Sequence, residues 1–312
     1  MSKQKLIVLT GPTAVGKSKL SIELAKRIGG EIISADSMQV YKYMNIGTDK
    51  IPEEKMEGVP HHLIDFLDPK EDFNVFTFQK LVKEAISDIS SRGKIPILVG
   101  GTGFYIQAVL YDIDFTETDE DDTIRRELEE RVRNEGTSGI YEELKRVDPA
   151  SALLIHENNS KRVIRALEYY KKTGRPISEH NKEQSEKSSP YDFYYFVLTD
   201  DREVLYSRID KRVEAMMEEG LVEEVKSLSK MDIPKTATSM QSLGYREIFG
   251  YLDGEYDLER AVYLIKRNTR HFAKRQLTWF RREKDVRWID KSQFGRDDKL
   301  VLEEIIRIYE NE

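Results

Sequence analysis

Residues 11 to 18 read GPTAVGKS, matching the spacing G-x-x-x-x-G-K-[ST], and they lie between the apolar run LIVLT at 6 to 10 and an amphipathic stretch from Lys17 to Ile28. No other feature constrains the chain as tightly. Strand, glycine-rich turn and helix in that order form a phosphate-binding loop. Gly11 and Gly16 permit backbone conformations that a side chain would block, so successive amides can converge on phosphate oxygens at the positive end of the following helix. Lys17 adds a mobile positive charge, and Ser18 a hydroxyl suited to a magnesium ion bridging phosphates.

The next segments extend the same pattern. EIISAD at 31 to 36 and IPILVGG at 95 to 101 read as further strands, with helical periodicity near 76 to 90, and such alternation predicts an α/β domain with a parallel sheet. From 114 to 122 the chain turns acidic and strand signals stop. IRRELEERVR and KRVIRALEYYKK then carry a helical pattern to about residue 188, while YDFYYFVLTD at 191 to 200 is strand-like, with an Asp-rich end placed to cap a helix starting near Glu203. Helices are expected around 204 to 219, 222 to 229 and 258 to 282, then a strand VRWID and a closing helix. The expected fold is therefore α/β, a P-loop NTPase-like parallel sheet flanked by helices, formed by 1–114 plus 190–312, with an inserted all-helical domain at 115–189.

Composition removes several chemistries. A chain of 312 residues with no cysteine has no disulfide, thiolate metal site or cysteine nucleophile. No apolar run approaches 18 residues and the amino terminus lacks a signal-peptide pattern, so a cytoplasmic protein without a membrane span is expected. His61 and His62 are adjacent, with only Asp65 nearby, which is a poor metal-ligand pattern. The net charge of −7 would argue against a nucleic-acid partner, but it is unevenly spread. From 260 to 287 there are ten Lys or Arg against two acids, a segment of +8 within a remainder of −15, and from 161 to 176 six basic residues face one acid. Such segments suit phosphate contacts. His271, Phe272, Trp279 and Phe280 interleave with the first of them, at a helical spacing more typical of core than of stacking platforms.

A phosphate loop does not name the reaction. Phosphoryl transfer is the default, yet a diphosphate leaving group on carbon fits equally well. NKEQ at 181 to 184 lacks the aspartate of a guanine reader. Asp36, Ser37 and Gln39 of DSMQVY follow a strand at the carboxyl edge of the sheet, where open α/β sheets bind ligands, and they could read a base edge, orient an amine or merely close an Asx-turn. GGTGFY at 100 to 105 brings Thr102 to the same edge.

GPTAVGKS, ISADSMQVYKYMNIGTDK, VPHHLID, ILVGGTGFYIQA, KRVIRALE followed by KTGRP, SLGYREI and TRHFAKRQLTWFR together resemble, in order, the signatures of the tRNA dimethylallyltransferase (tRNA isopentenyltransferase) family. The resemblance implies transfer of a dimethylallyl group from dimethylallyl diphosphate to the exocyclic amine of the adenosine immediately 3′ of the anticodon, with Mg2+ as cofactor. It assigns the diphosphate to Gly11, Thr13, Ala14, Val15, Gly16, Lys17, Ser18 and Arg212, with Ser18 at the metal. Asp36 and Thr102 fall at the reacting centre, Asp36 as general base. The tRNA anticodon stem-loop falls on Asp36, Ser37, Met38, Gln39 and Thr102, on Arg125, on Lys161, Arg162, Val163, Ile164 and Arg165 of the insertion, and on Gln241, Ser242, Leu243, Gly244, Tyr245 and Arg246. A monomer is expected. The competing readings are an adenylate isopentenyltransferase on free AMP or ADP, an ATP-dependent small-molecule kinase, and a non-catalytic RNA-binding switch.

Overall fold

The LIVLT run becomes β1 (Gln4–Thr10), buried on both faces over its last five residues, as a strand inside a parallel sheet must be. The computed structural model describes residues 3–115 and 123–311, so residues 116–122 of the acidic run lie outside the described residues. The described chain divides into two units, Met1–Leu110 with Pro190–Glu312, and Tyr111–Ser189.

In the first unit β1 leads into α1 (Lys17–Ile28), β2 (Gly30–Ala35), β3 (His61–His62), α2 (Val75–Ser91), β4 (Ile95–Gly100) and α3 (Gly103–Leu110). The second unit holds α4 (Thr123–Glu135), α5 (Ser138–Val147), α6 (Pro149–Leu154), α7 (Ser160–Thr173) and α8 (Ile177–Ser185). The first unit then resumes with β5 (Tyr191–Thr199), α9 (Arg202–Glu218), α10 (Leu221–Ser229), α11 (Tyr245–Leu252), α12 (Leu258–Phe280), β6 (Val286–Asp290) and α13 (Asp298–Asn311). Six strands form one parallel sheet in the order β3-β2-β4-β1-β5-β6. The phosphate-loop strand is thus central, flanked by β4 and β5, and Thr10 Oγ1 ties its carboxyl end to the Gly100 carbonyl at 2.6 Å. Ile7, Leu9, Phe196 and Leu198 of the sheet pack with Leu20 and Leu24 of α1 and Val301 and Ile305 of α13.

Two helices escape sequence reading. The residues after GGT, expected only as a glycine-rich turn, begin α3, and α11 starts within the SLGYREI motif. Both span eight residues, too few for a periodic pattern to stand out. The aspartates after β5 do not cap α9 as expected, because Asp201 makes no side-chain cap bond. Arginines take them instead: buried Asp200 meets Arg208 and Arg296, each at 3.0 Å, and Asp201 meets Arg296. His61 and His62 are satisfied structurally, His61 Nδ1 by the Val59 carbonyl and His62 Nε2 by Glu31 at 2.8 Å. No cluster able to hold a metal ion occurs among the described residues. No described helix is long and apolar enough to cross a membrane.

The helical unit has its own core of Leu128, Ile140, Leu144, Val163, Ile164 and Leu167. Its polar keystone is Asp148, buried to 1% exposure, which accepts from the Ser151 amide and hydroxyl at 3.0 and 2.7 Å and from the Ser178 amide and hydroxyl at 3.0 and 2.6 Å. Burial pushes its carboxyl up, but these hydrogen bonds outweigh that and hold it below the usual Asp range. Asp148→Ala should cost about 3 kcal/mol, because four donors lose one charged acceptor. The wild-type contribution is present above the ordinary Asp pKa and is lost as acid titrates the group through its depressed value. Hydrogen exchange of residues 138 to 185 at neutral pH, and again in acid, measures both effects.

Candidate active site

The loop between β1 and α1 is shaped by its backbone. Gly11 lies at φ +144°, and a Cβ there would come within 2.4 Å of the Leu198 carbonyl oxygen on β5, so only glycine lets the loop run this close to the sheet. Ala14 (φ +63°) and Gly16 (φ +96°) also adopt positive φ, and Gly16 is the N-cap of α1. Ala14 and Val15 bury their side chains, leaving backbone to face a ligand. Lys17 Nζ donates to the Gly11 and Pro12 carbonyls at 3.1 and 2.9 Å. Burial, reinforced by the nearby Arg212 charge, pulls Lys17 down to about 8 against the opposing pull of Asp36 and Asp49.

Asp36 follows directly after β2, on the edge that the phosphate loop also occupies. Its Oδ1 accepts from the Met38 amide at 2.8 Å, so the Asx-type turn weighed as an alternative is present. A turn and a catalytic role are compatible: burial pushes the Asp36 carboxyl up despite the Met38 and Gln39 amides and Lys17. The Thr102 amide donates to the Ala35 carbonyl at 3.4 Å, which sets Thr102 beside Asp36 across β2 and β4. Ser37 and Met38 are half-buried on the same turn. Gln39 spends its amide on the fold, with Nε2 donating to the Thr48 and Asp49 carbonyls at 3.2 and 3.3 Å.

Arg212, on α9, reaches the phosphate loop, with Nη1 on Thr13 Oγ1 at 3.2 Å and Nη2 on the Asp49 carboxylate at 2.8 Å. Two residues the sequence reading missed hold this arrangement. Asp49 is one. The other is Gln276 of α12, whose Oε1 accepts from the Thr13 amide at 2.9 Å while Nε2 donates to the Gly101 carbonyl at 3.0 Å. It clasps the phosphate loop to the turn carrying Thr102. The signal was available: Gln276 shares the buried face of α12 with Ala273 and Phe280, and a polar residue in an apolar register must be hydrogen-bonded. Gln276→Leu should raise KM for the phosphate-bearing substrate about tenfold, as loss of one buried bidentate clasp lets the loop shift, and steady-state kinetics checks it.

The expected tRNA residues divide by burial. Lys161, Arg162 and Arg165 are exposed on α7, whereas Val163 and Ile164 point into the core of the helical unit and offer no side chain to a partner. Arg125 lies 3.3 Å from Glu168. Gln241 and Arg246 are exposed and Leu243 is half-buried, but Ser242, Gly244 and Tyr245 are buried. Tyr245 is a support, its hydroxyl donating to Glu224 at 2.6 Å. Of the aromatics interleaved with the basic segment, Phe280 is core, while His271 is exposed and Trp279 half-buried. Those two, with Lys274, Arg275, Thr278 and Arg282, line an open depression of about 410 Å³ on α12.

The IPP transferase family model matches residues 39–283, and an isopentenyl transferase model matches 4–72. A tRNA dimethylallyltransferase of Lachnoclostridium phytofermentans is 58% identical over 309 residues, covering 99% of both chains. The crystal structure of a full-length tRNA isopentenylpyrophosphate transferase from Bacillus halodurans superposes with a TM-score of 0.70 at 45% identity, over 99% of this chain and 100% of that one. A eukaryotic dimethylallyltransferase described as acting on tRNA gives 0.81 at 35% identity, over 92% and 74%.

Proposed function

Because the chain belongs to the IPP transferase family of tRNA dimethylallyltransferases, it is a prenyl transferase acting on tRNA, and we propose that the edge formed by residues 11–18, 36–39 and 102 is where the dimethylallyl group passes to the exocyclic amine of the adenosine immediately 3′ of the anticodon. One observation carries this reading: a half-buried lysine with a lowered pKa and a carboxylate with a raised pKa feel each other's charge from the loops that follow β1 and β2, two strands with β4 between them. That pairing suits a reaction that needs a cation for the leaving group and a base for the nucleophile.

The diphosphate lies against the amides of residues 13 to 18, with Lys17 and Arg212 neutralising the charge that grows as the allylic carbon–oxygen bond breaks. The amine nitrogen attacks that carbon and diphosphate departs with the bonding electrons. The amine proton goes to Asp36, whose raised pKa makes it a competent acceptor. The Ser18 hydroxyl, a hard oxygen donor beside the phosphate loop, would hold a magnesium ion. When bound, the ion offsets charge on the leaving group. The adenosine must leave its stack to reach a sheet edge. The exposed lysine and arginines of α7 and those of α12 supply phosphate contacts. The enzyme works as a cytoplasmic monomer.

Incubation with labelled dimethylallyl diphosphate, magnesium and either bulk tRNA or AMP tests the proposal. Label is expected on tRNA; label on AMP alone, or none with folded protein, overturns it. The pH dependence is a second check. Lys17 loses its proton above about 8, so kcat/KM for the diphosphate should fall on the alkaline side with that midpoint, and Lys17→Arg should remove the fall.

A further inference from the structure

We infer that Glu224, on α10 and outside every motif considered above, is a positioning residue that sets the diphosphate site through residues 45 to 49. Glu224 Oε2 accepts from the Asn45 and Ile46 amides, both at 2.9 Å, and Oε1 accepts from the Gly47 amide at 3.2 Å and the Tyr245 hydroxyl at 2.6 Å. Three successive backbone amides turned onto one carboxylate form a concave anion site, and here the anion is a side chain of the protein itself. Gln39 grips the other side of the same loop through the Thr48 and Asp49 carbonyls. Packing closes the clamp, since a Cβ on Gly47 would lie 2.4 Å from the Tyr245 ring.

What the clamp holds is Asp49, two residues past Gly47. Its carboxylate anchors Arg212 at 2.8 Å, and Arg212 in turn touches the Thr13 hydroxyl of the phosphate loop at 3.2 Å. A continuous polar path therefore runs from Tyr245 through Glu224, the 45–47 amides, Asp49 and Arg212 to Thr13. Glu224 touches no substrate in this arrangement. It fixes where Asp49 stands, and so how the arginine meets a diphosphate. The inference rests on the reading of residues 11 to 18 as a diphosphate cradle.

Glu224→Gln in the full chain tests it. The amide keeps one acceptor oxygen and turns an NH2 group toward donors, so KM for dimethylallyl diphosphate should rise about tenfold, with kcat at saturation and tRNA affinity little changed. Asp49→Asn should raise the same KM, and the double variant should match Asp49→Asn alone, because both act through one arginine. A purely structural glutamate would lower the melting temperature and leave that KM in place. An unchanged KM in folded Glu224→Gln, or effects that multiply in the double variant, would overturn the inference. If Glu224→Gln does not fold, Tyr245→Phe decides: it deletes one hydrogen bond, keeps the ring on Gly47, and should raise KM about threefold, and no rise overturns the inference. Wild-type protein that fails to bind dimethylallyl diphosphate in the same assay removes the cradle reading and this inference with it; wild type that binds, with variants unaltered, removes the inference alone.

Discussion

Asp36→Ala is expected to lower single-turnover transfer of the dimethylallyl group by about 10³-fold or more while leaving tRNA affinity within a small factor of wild type. The size follows from what the carboxylate does. General-base assistance contributes roughly 10²–10⁴-fold, and the nucleophile is an aromatic amine whose lone pair is delocalised into the purine, so it depends on help more than an aliphatic amine would. Affinity should persist because phosphate contacts on exposed basic side chains supply most of it. Asp36→Asn is the sharper variant, since it retains an oxygen for the Met38 amide and so preserves the turn. Equal losses in the two variants assign the effect to proton acceptance; an active Asp36→Asn enzyme would show that only the turn matters. Wild-type activity should decline toward acid through a value above the ordinary Asp pKa, since a carboxyl raised by burial takes up its proton earlier.

Lys17→Met should reduce kcat about 10²–10³-fold, the usual cost of losing one preorganised donor to a developing anion. Two effects act together. The ammonium is removed from the leaving group, and the Gly11 and Pro12 carbonyls lose their shared donor, so the loop is less well held. Because the ammonium bears more on the departing diphosphate than on the bound ground state, kcat should fall further than KM rises. A KM effect alone would mean that Lys17 merely gathers substrate. Quench-flow with saturating diphosphate separates the cases.

The strand, loop and helix of residues 4 to 28 were legible because a phosphate loop imposes its neighbours, and helix α1 has the bounds its periodicity predicts. Asp36 and Thr102 were legible from their place after apolar strands. Glu224 and Asp49 were not, because each acts through a partner far along the chain and no local spacing announces it, while the apolar register of α12 marks Gln276 as hydrogen-bonded without naming its partner. The motif KRVIR shows the opposite situation. Carried over whole, it assigned Val163 and Ile164 to RNA, whereas helical periodicity places them with Leu167 inside and Lys161, Arg162 and Arg165 outside. Tyr245 likewise belongs to a recognisable string for its packing. A family string mixes exposed side chains, free to meet a partner, with buried ones that hold the others in place, and burial separates the two.

The central position of β1 bears on how the protein is made. One neighbour, β4, leaves the ribosome soon after it, but β5, which pairs with β1 over its whole length, is not complete until Thr199 has been synthesised. Until then the strand that feeds the phosphate loop presents one open edge of apolar backbone, an edge of the kind that recruits other chains. The five described helices of the inserted unit are translated during that interval and have a core of their own. Slow translation or a destabilised insertion should therefore prolong a sticky nascent state, and aggregation during expression becomes a liability of topology, arising before any substrate is met.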